Sequence, residues 1–181
     1  MSTNIYFITG NEKKFKEALE VVPGLLRFDA DLPEIQSVDP EAVIAAKLQE
    51  AARIKDVVFV VEDTSLFLEC LGWKLPGPLI KWFLETLGAR GIFDLAEKSG
   101  KFGAVGTSVI GYADGDEMHF FKGEVKGRLV PFTGGNEFGW DPVFLPEEEN
   151  KTFAQMSMEE KNNISHRKRS FEKLKTFLDS K

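Results

Sequence analysis

Apolar and polar positions follow two different periods along the first third of the chain. Ile5-Tyr6-Phe7-Ile8 is a short unbroken apolar run, as expected of a buried strand. Thr9-Gly10-Asn11 turns the chain, and Phe15, Ala18, Leu19 and Val22 then fall at i, i+3, i+4 and i+7. That spacing predicts a helix over Glu12–Val22, capped by Asn11 and stopped by Pro23-Gly24. Leu25–Asp31 reads as a second strand. Asp39-Pro40-Glu41 opens a second helix, which carries Ile44, Leu48 and Ala51 on one face as far as Ile54. Val57–Val61 is a continuous apolar strand that stops at Glu62-Asp63. The order strand, helix, strand, helix, strand predicts an α/β sheet.

The pattern then changes. Pro76-Gly77-Pro78 breaks the chain ahead of two short helices, Leu79–Leu87 and Ile92–Lys98. Ala104–Ala113 and Met118–Val125 flank Asp114-Gly115-Asp116, a hairpin signal, and Gly127–Phe132 is read as a third antiparallel strand. A glycine-rich loop runs from Thr133 to Gly139. Ser157-Met158-Glu159-Glu160 is a capping box, and a last helix buries Phe171, Leu174, Phe177 and Leu178. No repeat or long linker interrupts the chain, so residues 1–181 are read as one domain.

Composition narrows the function classes. Hydrophobic residues at 43% and charged residues at 29% support an ordinary core. A net charge of -6 argues against a nucleic-acid polymer or a membrane surface as partner. It leaves room for a small anion held by local cations. The single cysteine, Cys70, excludes an internal disulfide. With no signal peptide or membrane-spanning run in view, a cytoplasmic location is expected.

Four stretches carry candidate chemistry. Thr9-Gly10-Asn11-Glu12-Lys13-Lys14 places a glycine turn and a helix start after a strand, where free N–H groups attract anions, although P-loop spacing is absent. The alternative is a purely structural junction. Glu62 and Asp63 stand where a strand stops, the usual place for a ligand in an open α/β sheet; they suit Mg²⁺ or a water, or else a solvated turn with Thr64 and Ser65. Phe138-Gly139-Trp140-Asp141-Pro142 offers aromatic faces and a carboxylate to a heterocyclic base, or anchors its loop to the core. Ser165-His166-Arg167-Lys168-Arg169 puts cations at a helix start, against the helix dipole, which hints at function for His166 and Arg167 and at a solvated face for Lys168 and Arg169.

Together these stretches resemble the inosine triphosphate pyrophosphatase family, also called Ham1-like. The resemblance rests on Thr9-Gly10-Asn11 with Lys14, Leu32-Pro33-Glu34, Glu62-Asp63-Thr64, Pro76-Gly77, Phe138-Gly139-Trp140-Asp141-Pro142, and Glu160-Lys161-Asn162 with Ser165-His166-Arg167. Each is a weak motif alone; their order over nearly the whole chain is specific. The resemblance implies an α/β fold with a mixed, partly parallel sheet flanked by helices, two lobes around a central cleft, and a homodimer. It implies hydrolysis of ITP, dITP or XTP to the monophosphate and pyrophosphate, dependent on Mg²⁺ with Mn²⁺ as a substitute. It also implies roles. Thr9, Gly10, Asn11, Glu12, Lys13 and Lys14 cradle the triphosphate with Lys47. Glu34 and Asp63 bind the metal, and Asp63, flanked by Thr64, acts on the attacking water. Lys81 contacts substrate. Phe138, Gly139, Trp140 and Asp141 hold the base, with Phe138 stacking, and Lys161, His166 and Arg167 complete the pocket. The competing expectations are a pyrophosphatase for another modified nucleotide and a nucleotide sensor without turnover.

Overall fold

The computed structural model describes residues 4–115, 117–134 and 138–181. Asp116 of the hairpin turn and residues 135–137 of the glycine-rich loop lie outside the described residues. The elements are β1 (Ile5–Ile8), α1 (Glu12–Val21), β2 (Leu26–Phe28), α2 (Pro40–Ile54), β3 (Val58–Leu68), β4 (Pro76–Gly77), α3 (Ile80–Ser99), β5 (Gly103–Asp114), β6 (Glu117–Leu129), β7 (Phe144–Pro146), α4 (Met158–Ile164) and α5 (His166–Asp179).

They build a seven-stranded sheet in the order β2-β1-β3-β5-β6-β7, with β4 beside β3. β2, β1 and β3 are parallel; β3, β5, β6 and β7 are antiparallel. The fold is therefore a mixed, partly parallel sheet flanked by helices. Strand alternation sorts the core. Val58 and Val60 point with Phe7, Ile110 and Tyr112 to the face covered by Phe171 and Leu174 of α5 and Ala18 of α1. Phe59 and Val61 point to the other face, against Ile44, Leu48 and Ala51 of α2. A third apolar cluster joins Leu66 and Leu68 to Ile80 and Ile92 of α3 and to Trp140, Phe144 and Phe153. No helix among the described residues is long and apolar enough to cross a membrane.

Two sequence expectations are corrected. β3 does not stop at Glu62-Asp63; it runs eleven residues, to Leu68, because its ladder with β5 continues from Phe59↔Ala113 to Leu68↔Ala104. What stops is its other neighbour. Pairing with β1 ends at Phe7↔Val60, and β4 takes up the same side only at Leu66↔Gly77. The carboxylates thus stand in a gap in the sheet rather than at a strand end. Likewise Gly127–Leu129 is the end of β6, not a separate strand, and pairs with β7. The two helices expected after Pro78 are both present, and they meet within α3 at Gly88, whose φ of 66° and ψ of 174° are not helical.

Candidate active site

The gap between β1 and β4 opens into a cleft of about 410 Å³. Its walls bring together Asn11, Lys14, Glu34, Lys47, Asp63, Thr64, Lys81, Phe138, Gly139, Trp140, Asp141, Lys161, His166 and Arg167. Thr9, Gly10, Glu12 and Lys13 do not line it. Thr9 accepts the Asn11 N–H on its hydroxyl, while the Thr9 and Gly10 carbonyls accept from Arg27. Glu12 pairs with Lys16 outside the cleft, and Lys13 sits 5.3 Å from the centre of the Phe138 ring. Asn11 caps α1 by accepting the Lys14 N–H.

Adjacent strand residues face opposite ways, and this separates the two neighbouring carboxylates. Glu62 follows Val58 and Val60 toward α1 and α5. It accepts hydrogen bonds from Lys14 Nζ (2.6 Å), Thr64 (2.7 Å), Ser108 (3.0 Å) and Arg167 Nε (3.1 Å). Burial alone would push its pKa up, but Arg167 and Lys14 hold it well below the usual carboxylate range. Arg167 belongs to the same network, with Glu17 of α1 on Nη1 and Thr64 at 3.0 Å on Nη2. Its charge at the start of α5 is thereby neutralised by two carboxylates, which offsets the opposing helix dipole.

Asp63 follows Phe59 and Val61 toward α2. There Lys47 Nζ lies 3.2 Å from Asp63 Oδ1 and 2.7 Å from Glu34 Oε2. The other oxygen, Asp63 Oδ2, is buried with no hydrogen-bond partner. Burial raises the Asp63 pKa, against the opposing pull of Lys47 and Lys14. Burial acts against the Lys47 charge, yet Asp63 and Glu34 raise its pKa.

The far end of the cleft is aromatic. Phe138 has Lys161 Nζ 5.4 Å from its ring centre. Lys161 also pairs with buried Asp141 at 2.5 Å, and burial raises the Asp141 pKa despite that lysine. Trp140 is anchored edge-on to Phe144, with ring centres 4.9 Å apart, and reaches the cleft with part of its ring. His166 packs against both Trp140 and Phe153. Both its ring nitrogens are buried without partners, and burial, then Arg167 and Lys161, hold its pKa well below the usual histidine value. The imidazole is neutral. Lys81 stands at the mouth, largely exposed, 4.0 Å from Glu85. His119 packs against Phe177, away from the cleft.

Apart from Lys81, the approach to α3 and its start were not anticipated as part of the site: Pro78, Ile80, Leu84 and Glu85 line it too. Nor were the supports Glu17 and Ser108. Glu17 carried a usable signal, since it stands three residues from Lys14 on one helical face. Ser108 carried none, because its role depends on the register Thr64↔Ser108.

Among the described residues no group of three or more His, Cys, Asp or Glu is placed to hold a metal. Glu34 and Asp63 nevertheless suit Mg²⁺. They meet around one cation, one of their oxygens lacks a partner, and Mg²⁺ commonly takes one or two carboxylates and completes its shell with water and phosphate.

Residues 5–177 match the model of the Ham1 family. A protein named inosine triphosphate pyrophosphatase from Kluyveromyces lactis is 38% identical over 187 residues, spanning 96% of this chain and 95% of that one. Another of the same name, from Scheffersomyces stipitis, is 36% identical and spans 99% of this chain and 100% of its own. The solved structure of the Staphylococcus aureus Ham1 protein superposes with a TM-score of 0.81 at 25% identity, covering 98% and 99% of the two chains.

Proposed function

This chain belongs to the Ham1 family, and on that premise we propose that it hydrolyses non-standard purine nucleoside triphosphates, ITP, dITP and XTP, to the monophosphate and pyrophosphate. The observation that carries this reading is the meeting of Glu34 and Asp63 on one ammonium, with a buried Asp63 oxygen left free, in a cleft that also holds Lys14, Lys81 and Lys161.

A triphosphate bears about four negative charges and needs such an array. Lys14 and Lys47 grip the phosphates near the carboxylates, and Lys81 meets them at the mouth. Asp63 orients a water toward the α-phosphorus and takes its proton. The water oxygen bonds to the α-phosphorus as the bridge to the β-phosphate breaks, and pyrophosphate leaves. Mg²⁺, or Mn²⁺ in its place, held by Glu34 and Asp63, would neutralise charge developing on the transferred phosphoryl oxygens.

At the other end Phe138 stacks on the base. Asp141 accepts from the purine N1–H with the oxygen that Lys161 leaves open, and Arg167 and neutral His166 address the O6 edge. Adenine reverses both groups, and each mismatch costs about 1–3 kcal/mol. Guanine shares O6 and N1–H with hypoxanthine, so this contact pattern does not reject GTP. We further propose a homodimer, supported by exposed Trp73 and Trp82, and a cytoplasmic setting, supported by the unpaired Cys70.

The test is a panel of ITP, XTP, dITP, GTP, ATP and dUTP with Mg²⁺, measured for kcat/KM with the products identified. Pyrophosphate from ITP at a rate well above ATP is expected; orthophosphate as first product sinks the proposal.

A further inference from the structure

The two lysines nearest the carboxylates are not free to receive an anion. Lys14 is held by Glu62, but Glu62 keeps Thr64, Ser108 and Arg167 if that lysine leaves. Lys47 is in a different position. Its side chain, only 11% exposed, reaches from α2 to lie between Glu34 and Asp63, and among the described residues it is the only hydrogen-bond donor to either carboxylate. The match is incomplete, because Asp63 Oδ2 stays buried and unpaired. An ammonium satisfies the pair in charge but leaves one oxygen without a partner.

We propose that Lys47 is a displaceable counter-ion, which keeps the Glu34–Asp63 pair weak toward a divalent cation until a triphosphate draws its ammonium away. The identity of that anion rests on the pyrophosphatase reading; the exchange itself does not. A divalent ion bound by both carboxylates would stand beside the Lys47 ammonium, and like charges at that range repel. The lysine must therefore move for the pair to accept the ion. Lysine suits this, since it is a compact charge on a flexible stem, with three rotatable donors and no fixed fork. Its stem can swing Nζ from the carboxylates into the cleft, which its own side chain already lines. The two ligands then help each other. An anion that takes Lys47 opens the carboxylates, and a cation on the carboxylates frees Lys47 for the anion. Linkage requires the effect to be equal in both directions. The empty cleft would thus resist stray cations and accept nucleotide and metal together.

The test is manganese binding to the whole protein, followed by the paramagnetic resonance of free Mn²⁺, first without nucleotide. Lys47→Met keeps a similar length and removes the charge. It is expected to bind Mn²⁺ about tenfold more tightly than the unaltered protein, within the usual span of coupling between sites. A non-hydrolysable α,β-methylene ITP should raise the affinity of the unaltered protein by a similar factor and that of Lys47→Met far less. Equal or weaker Mn²⁺ binding by Lys47→Met overturns the proposal. So does tightening that survives when Glu34→Gln is added, because the ion would then sit elsewhere. Circular dichroism checks the fold, and Lys47→Gln, which keeps a donor but no charge, must shift affinity in the same direction. Failure to release pyrophosphate from ITP, with the manganese result intact, would sink the functional reading and leave the exchange standing.

Discussion

Two adjacent carboxylates do opposite jobs because one peptide unit turns them to opposite faces of β3. Glu62 is saturated by four donors, as befits a support; Asp63 has one oxygen without a partner, as the proposed action on water requires. Their amide variants should therefore part company. Asp63→Asn is expected to lower kcat by roughly 10²–10⁴-fold with the denaturation midpoint held or raised, since a buried charge is removed. Glu62→Gln is expected to lose about 3 kcal/mol in urea unfolding, as when one partner of a buried ion pair is deleted. A Glu62→Gln protein as stable as the parent would remove it from its supporting role. His166 gives a pH prediction. Burial keeps it neutral in the fold, whereas the unfolded chain takes a proton below about pH 6.5. The unfolded state then binds more protons, so stability is present above that pH and falls as pH drops through it. His166→Phe, which preserves the aromatic stack, should flatten the midpoint between about pH 7 and 5; an unchanged slope would refute the assignment.

At the scale of elements, the site depends on how closely α5 lies on the sheet. A Cβ at Gly123 of β6 would come within 2.1 Å of the His166 carbonyl oxygen and 2.5 Å of the Ser170 nitrogen. Only a glycine lets the first turn of α5 descend far enough for Arg167 to reach Glu62. Gly123→Ala lies outside the cleft, yet it should cost about 1–3 kcal/mol through overpacking and also lower kcat/KM for ITP. Normal turnover in a destabilised Gly123→Ala would mean that the height of α5 does not set the site. The same element shows what the sequence could carry. The amphipathic stripe and the misplaced cations were both visible between Ser165 and Leu178, and the helix forms there. That the cations are paid back by Glu17 and Glu62 was not visible, because those partners stand about a hundred or more residues away in the chain.

At the scale of the molecule, three apolar clusters carry the fold and the cleft lies beside them, so Glu34 and Asp63 are not its foundation. Chelation with EDTA should stop turnover and leave the thermal midpoint of the nucleotide-free protein unchanged; a large drop would assign the metal a structural part. The sequence by itself determined the parallel start, the hairpin-rich second half, the helix caps and the residue types of the site, because period, turn chemistry and capping act within a few residues. It could not place the end of β3. An apolar run followed by charge looks like a strand running into water, and only the ladder with β5 keeps Glu62 and Asp63 inside the sheet. Tertiary structure alone decided which carboxylate is tied down and which is free, and that Lys47 stands between Glu34 and Asp63. Those outcomes depend on strand register and on contacts between distant segments, and a linear pattern holds no record of either.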